Sequence, residues 1–248
     1  MTITIDTTAA GPLPAHTSRT ARQAHALRVA AHLVATHDAP PVDWHVASSA
    51  RDAGTLLAVV IGGSELDRID TIDAWAAALG VTPQWRRYVA DGRAGEYRID
   101  TAVSGVPVSL QAFLPDEPAT IQPSDIEPGT GRVAGPGRAA GAGRQAHALR
   151  VAAHLVATHD APPVDWAVAG RGPAAGTVAA VVHRVVAHDR MDALDAWAAV
   201  LEAAPTWTEF RPGSGEYRID TAAAGVDVSV VTSLPASPAA IELAEVGI

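Results

Sequence analysis

The sequence predicts an α+β protein that contains one αββαβββ module twice, in tandem. Three observations predict this: a long internal repeat, the same succession of helix and strand patterns in each copy, and a stretch rich in Gly, Pro and Ala between the copies. The segment Arg22–Trp44 occurs again, residue for residue, as Arg144–Trp166. Two shorter segments, Asp73–Ala77 and Gly95–Ala102, also recur in the second half. A repeat of this length does not arise by chance, so we interpret the chain as a tandem duplication.

The first predicted element of the module is a helix over Arg22–His37. Its apolar residues recur every three or four positions, which is the spacing of one helix face. Pro40 and Pro41 prevent the helix from continuing, because proline has no amide hydrogen to donate. Two strands, Val42–Ser48 and Thr55–Ile61, follow and are joined by a hairpin-like connection.

The remaining elements of the module are a second helix and a three-stranded meander. Ser64 is a suitable N-cap for a helix over Glu65–Leu79, whose apolar residues form one stripe. Turn residues separate three further strands, Thr82–Val89, Gly95–Val103 and Val106–Leu114. The second copy repeats this order with helices over 144–159 and 188–202 and strands over 164–169, 176–185, 205–211, 215–223 and 226–234.

This order of elements predicts, for each module, an antiparallel sheet with two helices on one face. The predicted boundaries are a mobile tail over 1–21, the first module over 22–120, a Gly/Pro/Ala linker over 121–143, the second module over 144–236, and a C-terminal tail over 237–248. The alternative is a single fused domain in which the two sheets join edge to edge.

The second strand of the module is apolar on both sides. Leu57 and Val59 point to one face of the sheet, whereas Leu56 and Ala58 point to the other. Helices on one face bury only one of these sets, so the other set needs a different cover. We therefore expect the two modules to contact each other through their sheets.

The composition excludes several kinds of site. The chain has 248 residues and a net charge of −9, and all 18 of its basic residues are arginine. It contains no lysine, asparagine or cysteine, which excludes thiol nucleophiles, thiolate metal sites, disulfides and the P-loop lysine. We expect no cofactor and no metal. The acidic balance argues against nucleic acid as a partner, because binding to phosphates needs clustered basic groups.

The same composition indicates a source. Lysine and asparagine use A-rich codons, whereas the abundant Ala, Gly, Arg and Pro use codons rich in G and C. In this respect the sequence resembles uncharacterised proteins of actinomycetes and of their phages or mobile elements. The resemblance includes no motif, so it implies a source and no particular activity.

No segment has the pattern of a membrane or secretion signal. Residues 1–21 lack a positively charged start followed by an apolar stretch. The longest apolar runs, such as Leu56–Ile61, are much shorter than the roughly 18 residues that span a bilayer. The sequence therefore predicts a cytoplasmic protein without membrane contact.

The ten histidines are the first candidates for chemistry. His25 and His32 lie seven residues apart on one helix, which is too far for the usual pair of metal ligands on a helix. We interpret them as residues of a partly exposed helix face. His37 and Asp43, on either side of the prolines, could form an acid–base pair, but no nucleophile or third group accompanies them.

A polar strand face is the candidate interaction surface. In the repeated segment GEYRIDTA, alternate residues point to opposite sides of the strand. One side carries ionic residues in both copies: Glu96, Arg98, Asp100, Glu216, Arg218 and Asp220.

We therefore predict a non-enzymatic binding or adaptor protein built from two homologous modules, whose partner is a protein, in the biology of a phage or mobile element. Two alternatives stay open. One is a hydrolase that uses the region of His37 and Asp43 or its copy. The other is a nucleic-acid-binding protein, which would require a strip of arginines on one face: Arg22, Arg86, Arg87 and Arg98.

Overall fold

A computed structural model describes residues 17–49, 52–88, 94–120, 137–183 and 186–246. The elements of the N-terminal half are α1 (Arg19–Thr36), β1 (Asp43–Val46), β2 (Leu56–Val59), α2 (Glu65–Leu79), β3 (Gln84–Arg87), β4 (Gly95–Val103), β5 (Val106–Leu114) and a 3₁₀ turn (Pro118–Thr120). Those of the C-terminal half are α3 (Gly137–Thr158), β6 (Asp165–Val168), β7 (Val178–Val181), α4 (Ala187–Leu201), β8 (Thr206–Arg211), β9 (Ser214–Ala223), β10 (Val226–Leu234) and α5 (Pro238–Val246). Both halves therefore contain the predicted order αββαβββ.

The ten strands form one mixed sheet in the order β3-β4-β5-β2-β1-β6-β7-β10-β9-β8. Most neighbours are antiparallel, as predicted, but β2 pairs with β5 and β7 pairs with β10 in parallel. The prediction of a purely antiparallel sheet was wrong because α2 carries the chain from β2 to the far edge of its half. The meander then returns toward the centre and ends with β5 beside β2, in the same direction.

The ends of α2 are determined by local interactions. The Ser64 hydroxyl accepts a hydrogen bond from the Asp67 amide, and the Asp67 carboxylate accepts one from the Ser64 amide. This reciprocal capping box satisfies amides that the helix itself leaves unpaired. Gly80 ends the helix in the left-handed conformation, with φ +67°, which glycine adopts without steric cost.

The core lies between the helices and one face of the sheet. Tryptophans anchor it in each half: the rings of Trp44 and Trp75 meet edge to face with centroids 5.7 Å apart, and those of Trp166 and Trp197 at 5.4 Å. All four side chains are buried. The indole nitrogen of Trp75 donates to the carbonyl of Pro40 at 2.8 Å, so the proline turn is held against α2.

The two halves are joined along their edges. β1 pairs antiparallel with β6, and α1 packs against α3. The architecture therefore corresponds to the edge-to-edge alternative. The sheets do contact each other, but the expectation that one half would cover the second face of β2 was wrong: Leu57 and Val59 stay half-buried on a face that the other half does not cover. Pairing β1 with β6 instead removes two exposed sheet edges.

Three helices lie partly or wholly in segments that were predicted to be irregular. α1 begins at Arg19, inside the predicted mobile tail over 1–21, and the Ser18 hydroxyl caps it by accepting a hydrogen bond from the Ala21 amide. α3 begins at Gly137, within the predicted linker, and Ala142 packs against the core. Alanine and arginine are good helix formers, and packing stabilises an extension that propensity alone leaves marginal. α5 occupies most of the predicted C-terminal tail, and the Ser237 hydroxyl accepts a hydrogen bond from the Ala240 amide at its start. The rest of the predicted linker, 121–136, and most of the N-terminal tail lie outside the described residues.

The interpretation of His25 as partly exposed was also wrong. Its side chain is 3% exposed, and Nε2 donates to the carbonyl of Ser104 at 3.1 Å. His147 makes the equivalent bond to the carbonyl of Ala224 at 3.0 Å. Each histidine thus holds the β4–β5 or β9–β10 turn against the first helix of its half. His32 is exposed, as expected.

Close packing at the junction of the halves predicts a strong effect of one methyl group. A Cβ at Gly170 would lie 2.3 Å from the carbonyl oxygen of Val42 and 2.6 Å from Nε2 of Gln145. We expect Gly170→Ala to lower the free energy of unfolding by at least about 2 kcal/mol, since backbone atoms must move. Gly141→Ala is the matched control, because nothing lies within 4 Å of its added Cβ in α3, and it should stabilise by up to about 1 kcal/mol. Chemical denaturation measures both, and equal effects would contradict the close packing.

Candidate binding groove on the open face of the sheet

One face of the central sheet carries no helix. Strand residues alternate between the core and this second face, which we call the open face; it includes His45, Leu57, Ser109, Ala167 and Val181. At the junction of the halves the open face forms a cavity of about 610 Å³, which we call the central groove. This volume lies within the range of about 300–1,000 Å³ that is typical of ligand sites.

The central groove has an apolar floor and polar sides. Four small or branched residues form the floor: Leu57, Val59, Ala167 and Val181. The polar lining residues come from both halves: His45, Asp52, Thr55, Arg98, Ser109, Gln111, Asp165 and His183. An apolar centre with a polar rim is the usual arrangement of a binding surface.

The guanidinium of Arg98 is held between acidic neighbours on β4. Its Nη1 donates to Glu96 at 3.0 Å, and its Nη2 donates to Asp100 and, at 3.0 Å, to the hydroxyl of Ser109. The hydrogen bond to Asp100 raises the pKa of Arg98. Arg98 is therefore held in place at the side of the groove, and carboxylates of its own strand compensate its charge. This arrangement does not favour the binding of a phosphate at Arg98.

The second half repeats this triad on β9. Arg218 donates to Glu216 at 3.0 Å, to Asp220 at 2.6 Å and to the hydroxyl of Ser229 at 3.1 Å. The hydrogen bond from Arg218 lowers the pKa of Asp220. All six residues of the candidate interaction surface thus lie on the open face, but β4 and β9 are seven strand spacings apart, or about 34 Å. Among the three residues of each triad, only Arg98 lines the groove.

A histidine and a carboxylate from the C-terminal half meet at the groove. Nε2 of His183 lies 3.4 Å from Oδ2 of Asp165, whose other oxygen accepts a hydrogen bond from the Ser48 amide at 2.5 Å. His183 could not be selected as a site residue from the sequence, because its counterpart in the first copy is Ile61. Only the antiparallel pairing of β6 with β7 brings the two side chains together.

His45 is the second groove residue that the sequence analysis missed. It stands directly opposite Ala167 across the junction. Burial lowers its pKa below the ordinary 6.5, although the nearby charge of Asp43 opposes the effect. The available signal was a histidine at a position where the second copy has alanine, but its environment could not be recognised before the pairing of β1 with β6 was known.

The structure separates the residues of the predicted acid–base pair. The ring of His37 packs edge-on against Trp75 on the helix side, with centroids 6.2 Å apart. Asp43 lies on the open face, where its carboxylate accepts a hydrogen bond from the Gly170 amide at 2.7 Å. His37 and Asp43 therefore cannot act together as the acid–base pair of a hydrolase.

The arginine strip is likewise neutralised. Arg86 donates to Asp100 at 3.1 Å, and Arg87 donates to Glu117 at 3.0 Å. Together with the pairing of Arg98, these contacts leave this part of the sheet without the excess of positive charge that phosphate binding requires.

Comparison of the chain with protein-family models, with curated proteins and with solved structures gave no match. Within the described part of the chain, no helix is both long and apolar enough to cross a membrane. The same residues include no group of three or more His, Asp or Glu side chains arranged to hold a metal ion.

The lowered pKa of His45 predicts a pH dependence of stability. Well above pH 6.5 this imidazole is neutral in both states. As the pH falls through about 6.5 the unfolded chain binds the proton first, so the free energy of unfolding falls until the pH reaches the lower folded-state pKa. His45→Ala, which copies the residue of β6, should lose this contribution. Denaturation curves from pH 7.5 to 5 for both proteins measure it. A difference between them that does not change with pH would contradict the burial of His45.

Proposed function

We propose that the protein is a non-enzymatic, cytoplasmic binding or adaptor protein whose protein partner lies across the open face. The observation that carries this proposal is the uncovered central groove. A partner that covers its half-buried aliphatic floor removes apolar surface from water, which makes the free energy of binding more favourable. The charge of Arg98 is already paired with Glu96 and Asp100 within the chain, so this residue can border an interface without being left as an unpaired charge.

We also propose that the chain arose by tandem duplication of an αββαβββ module with helices on one face. The identity of Arg22–Trp44 with Arg144–Trp166 and the equal order of elements in the two halves support this origin. The duplicated halves differ in the groove, where His45 faces Ala167 and His183 replaces Ile61. Such differences would give the groove an asymmetric shape, suited to one orientation of a partner.

The hydrolase alternative now depends on the pair formed by Asp165 and His183. An oriented carboxylate beside an imidazole is the arrangement of a general base. However, no serine or threonine hydroxyl in the described residues bonds to His183, so a water molecule would have to act as the nucleophile. We therefore rank the binding function first.

Blocking the groove tests the proposed function. Leu57→Arg places a long cationic side chain on the groove floor and should lower affinity for the partner at least about tenfold, as loss of a central apolar contact does. Leu243→Arg is the matched control, because Leu243 is an exposed residue of α5. Partners captured by the wild-type chain from source-cell extract are purified, and their affinities for both variants are measured on a biosensor, with circular dichroism to confirm folding. Unchanged binding by Leu57→Arg would contradict the proposal.

A further inference from the structure

The junction of the two halves is built from two copies of one surface. β1 and β6 pair antiparallel with His45 opposite Ala167, Trp44 opposite Val168 and Val46 opposite Trp166. His45 and Ala167 occupy the same position in the repeat, so this pair lies at the centre of the junction. On either side of it the contact is repeated: Trp44 meets Val168, and Trp166, the copy of Trp44, meets Val46, the equivalent of Val168.

The carboxylates at the junction show the same reciprocity. Asp43 accepts a hydrogen bond from the amide of Gly170 at 2.7 Å, and Asp165 accepts one from the amide of Ser48 at 2.5 Å. Ser48 and Gly170 are equivalent positions of the repeat. One contact is thus made twice, with the halves exchanged.

Buried glutamines make a further exchanged pair of contacts. Nε2 of Gln23 donates to the carbonyl of Val164 at 2.9 Å, and Nε2 of Gln145 donates to the carbonyl of Val42 at 2.6 Å. Both glutamines have no exposed surface. Each glutamine reaches from the first helix of its half to a backbone carbonyl of the other half. Each half therefore both donates and accepts the same hydrogen bond across the junction.

We propose that this self-complementary junction also joins two chains, which exchange halves to form a dimer. In that dimer the N-terminal half of each chain pairs with the C-terminal half of the other. The contacts across the junction that the described residues make would all be kept, so the two forms differ mainly in the entropy of association. The inference does not depend on the proposed function.

An asymmetric contact disfavours the pairing of like halves. Arg171 reaches across the junction, with Nε donating to the carbonyl of Pro41 at 2.6 Å and Nη2 to the hydroxyl of Thr71 at 3.3 Å. The equivalent residue of the N-terminal half is Ser49, which is too short to do the same. Two N-terminal halves would therefore lack this contact on both sides. Two C-terminal halves would lack its hydrogen bond to a hydroxyl, because Ala193 is the equivalent of Thr71.

The exchange has a consequence for the groove. His45 comes from the N-terminal half, and Asp165 and His183 come from the C-terminal half. In the dimer each groove would therefore contain residues of both chains, and the assembly would have two such grooves. Two sites on one particle raise avidity for a partner that carries repeated epitopes.

Cysteine pairs test the exchange, because the chain has no cysteine of its own. In the double variant His45→Cys/Ala167→Cys the two cysteines stand opposite each other in the junction, at a Cα separation of about 4.5–5.5 Å that suits a disulfide. The full chain is unfolded in denaturant, refolded at several concentrations and then oxidised. Non-reducing gels and light scattering measure the fraction of monomers with a disulfide within the chain and the fraction of dimers with a disulfide between chains.

For tethered halves the effective concentration is on the order of millimolar, and the dimer dissociation constant should be similar. We expect about a tenth of the chains in linked dimers after refolding at about 100 μM and several-fold fewer at about 10 μM. Dimer crosslinks should require both cysteines. The single variants His45→Cys and Ala167→Cys, as matched controls, should stay uncrosslinked.

Two results would overturn the proposal. Linked dimers of the single His45→Cys variant, as abundant as those of the double variant, would mean that like halves pair. Linked monomers alone, at every concentration up to about 1 mM, would mean that the junction closes only within one chain.

Discussion

The pairing of β1 with β6 is the interaction on which the rest of the structure depends. It turns two five-stranded sheets into one and lets α1 pack against α3 on the helix side. Without it, each half would expose an unpaired strand edge and the buried glutamines Gln23 and Gln145, whose amides bond to the opposite half. Unpaired buried polar groups are costly, so the hydrogen bonds and the strand pairing support each other. The segment that is identical in the two halves covers most of the first helix and the start of the first strand of each half, which are the elements that form this junction.

The junction also explains why one face of the sheet remains uncovered. The helices of both halves lie on the same side, and edge-to-edge pairing brings no layer over the other side. The groove forms where the two halves meet, with Leu57 from one half and Val181 from the other on its floor. The binding proposal follows from this geometry, because the apolar floor lies beside Arg98, whose charge is already paired within its own half.

Local signals in the sequence predicted much of the fold. The residues Ser64 and Asp67 cap α2 through contacts only three positions apart, so its range was predicted without error. The same is true of β4 and β5, which are joined by the turn at Ser104-Gly105. The junction and the groove could not be predicted in this way. Alternation of side chains assigns a residue to a face of its strand but does not identify the neighbouring strand, and His45 and His183 gain their environment only from distant strands.

Solution NMR of the full chain tests the central claim, the continuity of the sheet, most directly. Cross-strand nuclear Overhauser effects between backbone protons report pairs of strands within about 5 Å. The structure predicts such effects between Trp44 and Val168 and between Val46 and Trp166. Strong effects within the β1–β2 and β6–β7 pairs, with none between residues 44–46 and 166–168, would show two separate sheets and contradict the account.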